Sequence, residues 1–173
     1  MISLVGLPGS GKSTVGRQLA RRLRLRFLDC DRVIEQQLGC SIREYFEREG
    51  EEQFRDIEEA LIDQLTQNDN LVLATGGGAI LRANSRARLR ERTYAVYLNS
   101  QPEELFRRLR YDVKRPLLQV TDPMARLREL HAQRDPLYRE TAKLVVDTGR
   151  PSVATLVSTI VVELELAGGL PSC

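Results

Sequence analysis

Residues 6–14, GLPGSGKST, follow directly on an apolar run from Ile2 to Val5. Gly6, Gly11, Lys12 and Ser13 match the GxxxxGK[ST] pattern between an expected strand and an expected helix, the setting that pattern requires. Glycines there let backbone N–H groups curl around phosphate oxygens, and the positive end of the following helix faces the same anion. Gly9, Ser10, Gly11, Lys12, Ser13 and Thr14 are therefore expected to hold nucleotide phosphates. Lys12 would reach the β- and γ-phosphates and the Ser13 hydroxyl would ligate Mg²⁺.

Switch GTPases, motor ATPases and small-molecule kinases share this loop, so the class must come from other residues. The chain has neither an NKxD-type guanine reader nor a DxxG segment. The apolar run Leu71 to Ala74 ends in Thr75 and three glycines rather than in an acid. Acids occur instead as DCD, Asp29 and Asp31, at the end of the second apolar segment. Residues two apart in an extended backbone point the same way, so both are expected to face a site at the carboxyl edge of a sheet. One would hold Mg²⁺, directly or through water, and the other would face an acceptor hydroxyl. A helix N-cap is the structural alternative for Asp31, and the two roles are compatible.

Short apolar runs alternating with stretches of helical period predict a parallel sheet wrapped by helices. Strands are expected at 2–5, 26–28, 71–74, 94–98 and 144–146. Val15, Leu19 and Leu23 fall on one helical face, as do Phe54, Ile57, Leu61 and Leu65. Ser41 with Glu44 has the form of a capping box, and Pro102 suits a first helical turn. Val153, Leu156, Val157, Ile160, Val161 and Leu164 predict a strongly amphipathic last helix, followed by a frayed AGGLPSC tail. YDVKRPLLQVTDP, residues 111–123, has two prolines and no period, and is expected to form a loop long enough to act as a lid.

The length of 173 residues suits one domain, 1–173, with one buried core. No apolar stretch approaches the roughly 20 residues that span a bilayer, and the N-terminus lacks the order of a signal peptide. The expectation is a cytoplasmic protein without a membrane partner. Cys30, Cys40 and Cys173 form no CxxC pair and His131 is the single histidine, which argues against structural zinc or a disulfide framework. A net charge of +2 gives no argument for a nucleic-acid partner. The cations are nearly all arginine, with lysine only at 12, 114 and 143, so each arginine must be justified by its neighbours.

From GLPGSGKST through DCD, EGEEQFRDIEE, ATGGGA, KRPLL and RDPLYRE to DTGRPS, the ordered set of motifs resembles the shikimate kinase family. The resemblance implies a three-layer α/β/α P-loop kinase fold with a five-stranded parallel sheet in the order 2-3-1-4-5 and a mobile lid. It implies a substrate-binding region at about 31–60, with ATP and shikimate as substrates and Mg²⁺ as the cofactor. The implied reaction is phosphorylation of the shikimate 3-hydroxyl, in chorismate and aromatic amino acid biosynthesis. Residue by residue, Asp31 matches the acid on the acceptor hydroxyl and Asp29 belongs to the Mg²⁺ environment. Arg55 and Arg134 match the pair on the shikimate carboxylate, and Gly76, Gly77 and Gly78 line that pocket. Arg115 matches the lid arginine over the nucleotide phosphates, Arg150 the base-binding segment, and Arg108 is favoured over Arg110 as a second adenine contact. The catalytic set is thus Lys12, Asp31 and Arg115.

Physical chemistry supports the assignment. Two guanidinium groups clamp one carboxylate through charge-assisted hydrogen bonds, and glycines admit backbone amides close to a hydroxylated ring. On composition alone Arg55 would pair with a nearby glutamate, and Arg134 with Asp135 or Glu129. Cys30 is expected to be an inert buried thiol and His131 structural. The competing readings are a kinase of the same fold acting on gluconate or a nucleoside monophosphate, and a non-catalytic nucleotide-dependent switch. A monomer is the default.

Overall fold

The computed structural model describes residues 1–111 and 119–168. The chain runs β1 (Ile2–Val5), α1 (Lys12–Leu23), β2 (Arg26–Asp29), α2 (Cys30–Leu38), α3 (Ile42–Glu49), α4 (Glu51–Leu65), β3 (Leu71–Ala74), α5 (Ala83–Arg92), β4 (Tyr94–Asn99), α6 (Pro102–Leu109), α7 (Pro123–Thr141), β5 (Leu144–Asp147) and α8 (Val153–Leu166). The strands form one sheet in the order β2-β3-β1-β4-β5 with every pairing parallel. This is the topology expected from the resemblance.

Parallel sheets need both faces covered, and the side-chain period of β1 shows how that is met. Ile2 and Leu4 face a cluster built with Val15 and Leu19 of α1 and Leu156, Ile160 and Leu164 of α8. Val5 faces the opposite cluster, with Leu89 of α5, Leu105 of α6, and Leu127 and Tyr138 of α7. Each such fully buried aliphatic side chain contributes about 1.5–3 kcal/mol relative to exposure. Ser3, on the second face, is fully buried and satisfies its hydroxyl on Thr93 Oγ1 at 2.7 Å.

Three strands run one residue past their expected ends, to Asp29, Asn99 and Asp147. The ladder continues through these polar residues because Asp29 pairs with Ala74, and Asn99 with Asp147. Periodicity sees only the apolar part of a strand, whereas the backbone hydrogen bonds continue to the functional edge.

α2, α3 and α4 cover the β2–β3 end over a third cluster containing Cys30, Ile34, Phe54, Leu61, Leu65, Leu71 and Leu73. Ser41 Oγ accepts the Glu44 N–H at 3.1 Å and opens α3, the N-cap half of the expected capping box, and Pro102 sits in the first turn of α6 as expected. α5 locks α4 from outside: Arg82 reaches Asp56 at 2.6 Å and Glu59 at 3.0 Å, and Arg92 reaches Asp63 at 2.8 Å. Arg82, Arg88 and Arg92 serve this seam, which steadies the helix carrying Arg55. Of the expected lid, residues 112–118 lie outside the described residues, and α7 already begins at Pro123 with Asp122 as its N-cap.

Candidate active site

A cavity of about 720 Å³ opens at the carboxyl edge of the sheet. Residues 8–15 form one wall, Asp29, Asp31, Thr75 and Gly77 the floor, and Arg108, Thr148 and Pro151 the far end. Ligands of open parallel sheets bind at this edge, where connections diverge to opposite faces. Gly11 caps α1 at φ 95° with no side-chain hydrogen bond, and no acid stands in the first turn of that helix. Its leading N–H groups and the positive end of its dipole therefore face the cavity without an acid from the helix's own first turn. The Lys12 ammonium donates to the Gly6 carbonyl at 2.7 Å and the Leu7 carbonyl at 2.9 Å, holding a cation over the loop.

Ser13 Oγ donates to Asp29 Oδ2 at 2.6 Å across the same wall. The other oxygen of Asp29 accepts the Asp31 N–H at 3.0 Å, so Asp29 is the N-cap of α2. This corrects the alternative that gave the cap to Asp31, and with it the strand argument for how the two acids align. α2 begins at Cys30, so Asp31 occupies a helical first turn, and its place over the cavity follows from the tight strand-to-helix junction rather than from the pleat. A hydroxyl and a carboxylate side by side, next to a phosphate-sized loop, suit Mg²⁺, which keeps most of its waters and takes one or two protein ligands. Burial raises the Asp31 carboxyl above the ordinary range; the Asp29 charge adds to this, and Lys12 and Arg55 oppose it.

On the opposite side of Asp31 lies a cluster that the sequence reading only partly identified. Arg55 is 12% exposed and donates to Glu58 Oε1 at 2.8 Å, with a weaker contact to Glu51 at 3.2 Å. Its guanidinium also packs on Phe54, 5.2 Å from the ring centre. The expected surface ion pair thus exists, but it is turned inward. Arg134 does not pair with Asp135 or Glu129: Asp135 accepts from Tyr97 and Arg139, and Glu129 from Arg126. The Arg134 charge acts instead on the Tyr138 hydroxyl and on Glu58.

Glu58 is 3% exposed, and among the described residues its Oε2 has no hydrogen-bond partner. Burial raises its carboxyl, against the lowering effect of Arg55 and Arg134. A Cβ on Gly76 would lie 2.7 Å from Asp31 Oδ1 and 3.0 Å from Glu58 Oε2, so this glycine keeps the two carboxyls on a shared space. A Cβ on Gly78 would lie 2.6 Å from the Arg55 guanidinium carbon, and the Gly77 carbonyl accepts from Tyr138. Each of the three glycines thus faces a different partner. Glu58 was missed, although a lone acid on the buried stripe of Phe54, Leu61 and Leu65 was a readable signal.

At the far end, Arg108 donates to the Gly9 carbonyl at 3.0 Å and also pairs with Glu104. Arg110 stacks on Tyr111 instead, 4.8 Å from its ring centre, which places Arg108 at the cavity and Arg110 away from it. Arg150 is exposed and does not line the cavity, whereas its neighbours Thr148 and Pro151 do. Arg115 lies outside the described residues. Cys30 is fully buried with its thiol pushed up by burial, His131 Nε2 meets Asn99 Oδ1 at 3.2 Å, and neither lines the cavity.

Comparison with known proteins gives one result. The family model for shikimate kinase matches residues 8–165. A shikimate kinase of Paracidovorax citrulli is 59% identical over 98% of this chain and 94% of its own, and one of Ralstonia nicotianae is 53% identical over 96% and 88%. Among solved structures, shikimate kinase from Acinetobacter baumannii in complex with shikimate superposes with a TM-score of 0.91 at 45% identity, covering 98% of this chain and 94% of that one. Among the described residues no helix is long and apolar enough to cross a membrane.

Proposed function

The chain belongs to the shikimate kinase family and catalyses the ATP-dependent phosphorylation of shikimate, and we propose that the residues around the cavity divide the reaction as follows. The observation that carries the assignment is the cluster opposite the phosphate loop. Arg55 pairs with the buried Glu58 and the Arg134 charge acts on the same carboxylate, leaving a net positive charge beside Asp31 for the carboxylate of the acceptor. Arg55 and Arg134 hold that carboxylate, with Glu58 fixing Arg55, and Gly76 to Gly78 admit the ring.

Asp31 accepts a hydrogen bond from the 3-hydroxyl and turns its oxygen toward the γ-phosphorus. As the new O–P bond forms, the bond from the γ-phosphorus to the β,γ-bridging oxygen breaks. ADP leaves, and the hydroxyl proton passes to Asp31, whose raised affinity for protons suits it to that role. Gly9 to Thr14 hold the phosphates, and Lys12 follows the charge from the γ- to the β-oxygens. Ser13 and Asp29 would hold Mg²⁺, which supplies neutralisation of the triphosphate. Arg108, with Thr148 and Pro151, forms the base end, and Arg150 is assigned to its solvent rim. Arg115 is assigned to the transferring phosphoryl group. We further assign residues 1–173 to a single domain acting as a cytoplasmic monomer; the continuous sheet supports the single domain.

The direct test is ADP release with Mg-ATP and shikimate against parallel reactions with gluconate, AMP or no acceptor. Stimulation by shikimate alone is expected, and stimulation by another acceptor alone would leave the phosphate loop in place while removing the roles of Asp31, Arg55 and Arg134. Arg134→Ala should lower kcat/KM for shikimate by about 10- to 150-fold, the loss of a charged hydrogen bond worth about 1.5–3 kcal/mol, with KM for ATP preserved. Gly78→Ala should raise KM for shikimate in the same assay, because its methyl group displaces the Arg55 guanidinium. Unchanged shikimate kinetics in both variants would refute the clamp.

A further inference from the structure

Glu104 lies on α6, outside the motif set, and no step above uses it. Its side chain is 8% exposed, yet it is ionisable and opens a helix whose outer face is solvated. One oxygen, Oε1, accepts both from the Arg108 guanidinium and from the Thr148 hydroxyl, the latter at 2.7 Å. The Thr148 hydroxyl is engaged by Ser100 as well, and the Thr148 N–H donates to the Asn99 carbonyl at 3.1 Å. Arg108 in turn bridges the two sides of the cavity, donating to the Gly9 carbonyl of the phosphate loop at 3.0 Å and approaching the Thr148 carbonyl at 3.5 Å.

Arg108 is 39% exposed, and its long side chain would sample many rotamers without a partner. A nearly buried carboxylate four residues earlier on the same helix removes that freedom, because the charge-assisted bond has a defined direction and little competing water. The same oxygen holds the β5–α8 connection through Thr148. One carboxylate therefore sets the distance between the arginine and the connection that line the far end of the cavity.

We propose that Glu104 is the positioning residue of the nucleotide-base end of the site, acting through Arg108 and Thr148. It contacts no reacting atom. The proposal rests on the reading of the cavity as an ATP site with its phosphates at residues 9–14.

The experiment compares wild type with Glu104→Gln, a variant of the same shape, in steady-state kinetics, with inorganic tripolyphosphate as an inhibitor that carries phosphates and no base. Glu104→Gln is expected to raise KM for ATP roughly tenfold, as for loss of a charged hydrogen bond, with kcat and KM for shikimate preserved. The inhibition constant of tripolyphosphate should not change. In an Arg108→Ala background the Glu104→Gln change should have little further effect on KM for ATP, because its route is already gone. Thr148→Val, which tests the second contact without touching the charge, should raise KM for ATP less.

An unchanged KM for ATP in Glu104→Gln, or independent effects of the Glu104 and Arg108 changes, would overturn the proposal. A parallel loss of kcat, shikimate affinity and tripolyphosphate inhibition with a lowered Tm would also overturn it, since that pattern marks a purely structural residue. Tripolyphosphate that fails to compete with ATP in the wild type would instead remove the underlying phosphate assignment.

Discussion

Asp31→Asn is expected to lower kcat by about 10²- to 10⁴-fold, the range for loss of a positioned general base, while making the ligand-free protein more stable at neutral pH. Both effects have one cause. Burial, and next the Asp29 charge, raise the Asp31 carboxyl, so between the ordinary and the raised value the folded chain holds a proton there that the unfolded chain has already released. Where the folded state binds more protons, stability falls as pH rises. That loss begins near the ordinary carboxylate pKa and is complete above the raised folded value. Asparagine removes the ionisation and flattens this part of the curve. Every kcal/mol relieved lifts Tm by about 2–4 °C for a chain of this size. Thermal unfolding of both proteins from acid to neutral pH checks the sign: the Tm difference should open with rising pH and shrink below the ordinary carboxylate range. A variant that loses turnover without gaining stability would show that Asp31 sits more comfortably than its burial implies.

Lys12→Met is expected to lower kcat by about 10²- to 10³-fold, as when one preorganised group aimed at developing charge is removed. The ammonium is already held at the loop by the Gly6 and Leu7 carbonyls, so little reorganisation stands between the free protein and a phosphate complex. Lys12→Arg should not restore turnover, because a planar guanidinium cannot replace a compact point charge on these two carbonyls. Shikimate binding measured by calorimetry without nucleotide should survive in the Met variant. Turnover near wild type would overturn the phosphate role of the loop, whereas lost shikimate binding would mean that Lys12 also supports the acceptor side.

A motif is legible in the sequence to the extent that its interactions are local. GLPGSGKST needs only its own residues to form a strand, a loop and a helix start, and Gly11 with its open helix end follows from nine consecutive positions. The strand cores and the faces of α1 and α8 were likewise legible, because burial against one sheet leaves a period of two or of 3.6 in the residues themselves. DCD was located correctly but oriented for the wrong reason, since Asp29 ends the strand by capping α2 and so removes Asp31 from the extended backbone.

The sequence by itself determined that a phosphate loop, two acids and a set of arginines must meet at one edge of a parallel sheet. Only the tertiary structure decided which arginine turns inward and what holds it there. Arg55 and Arg82 stand on or beside helices rich in acids, yet Arg55 is trapped between Glu58 and Gly78 while Arg82 zips α4 to α5 at the surface. Glu58 and Glu104 look like ordinary helical acids among many. Their surroundings include Gly76, the Arg134 charge and Thr148, which arrive from distant parts of the chain, and the field at a charge is set by what surrounds it in space rather than by its neighbours in sequence.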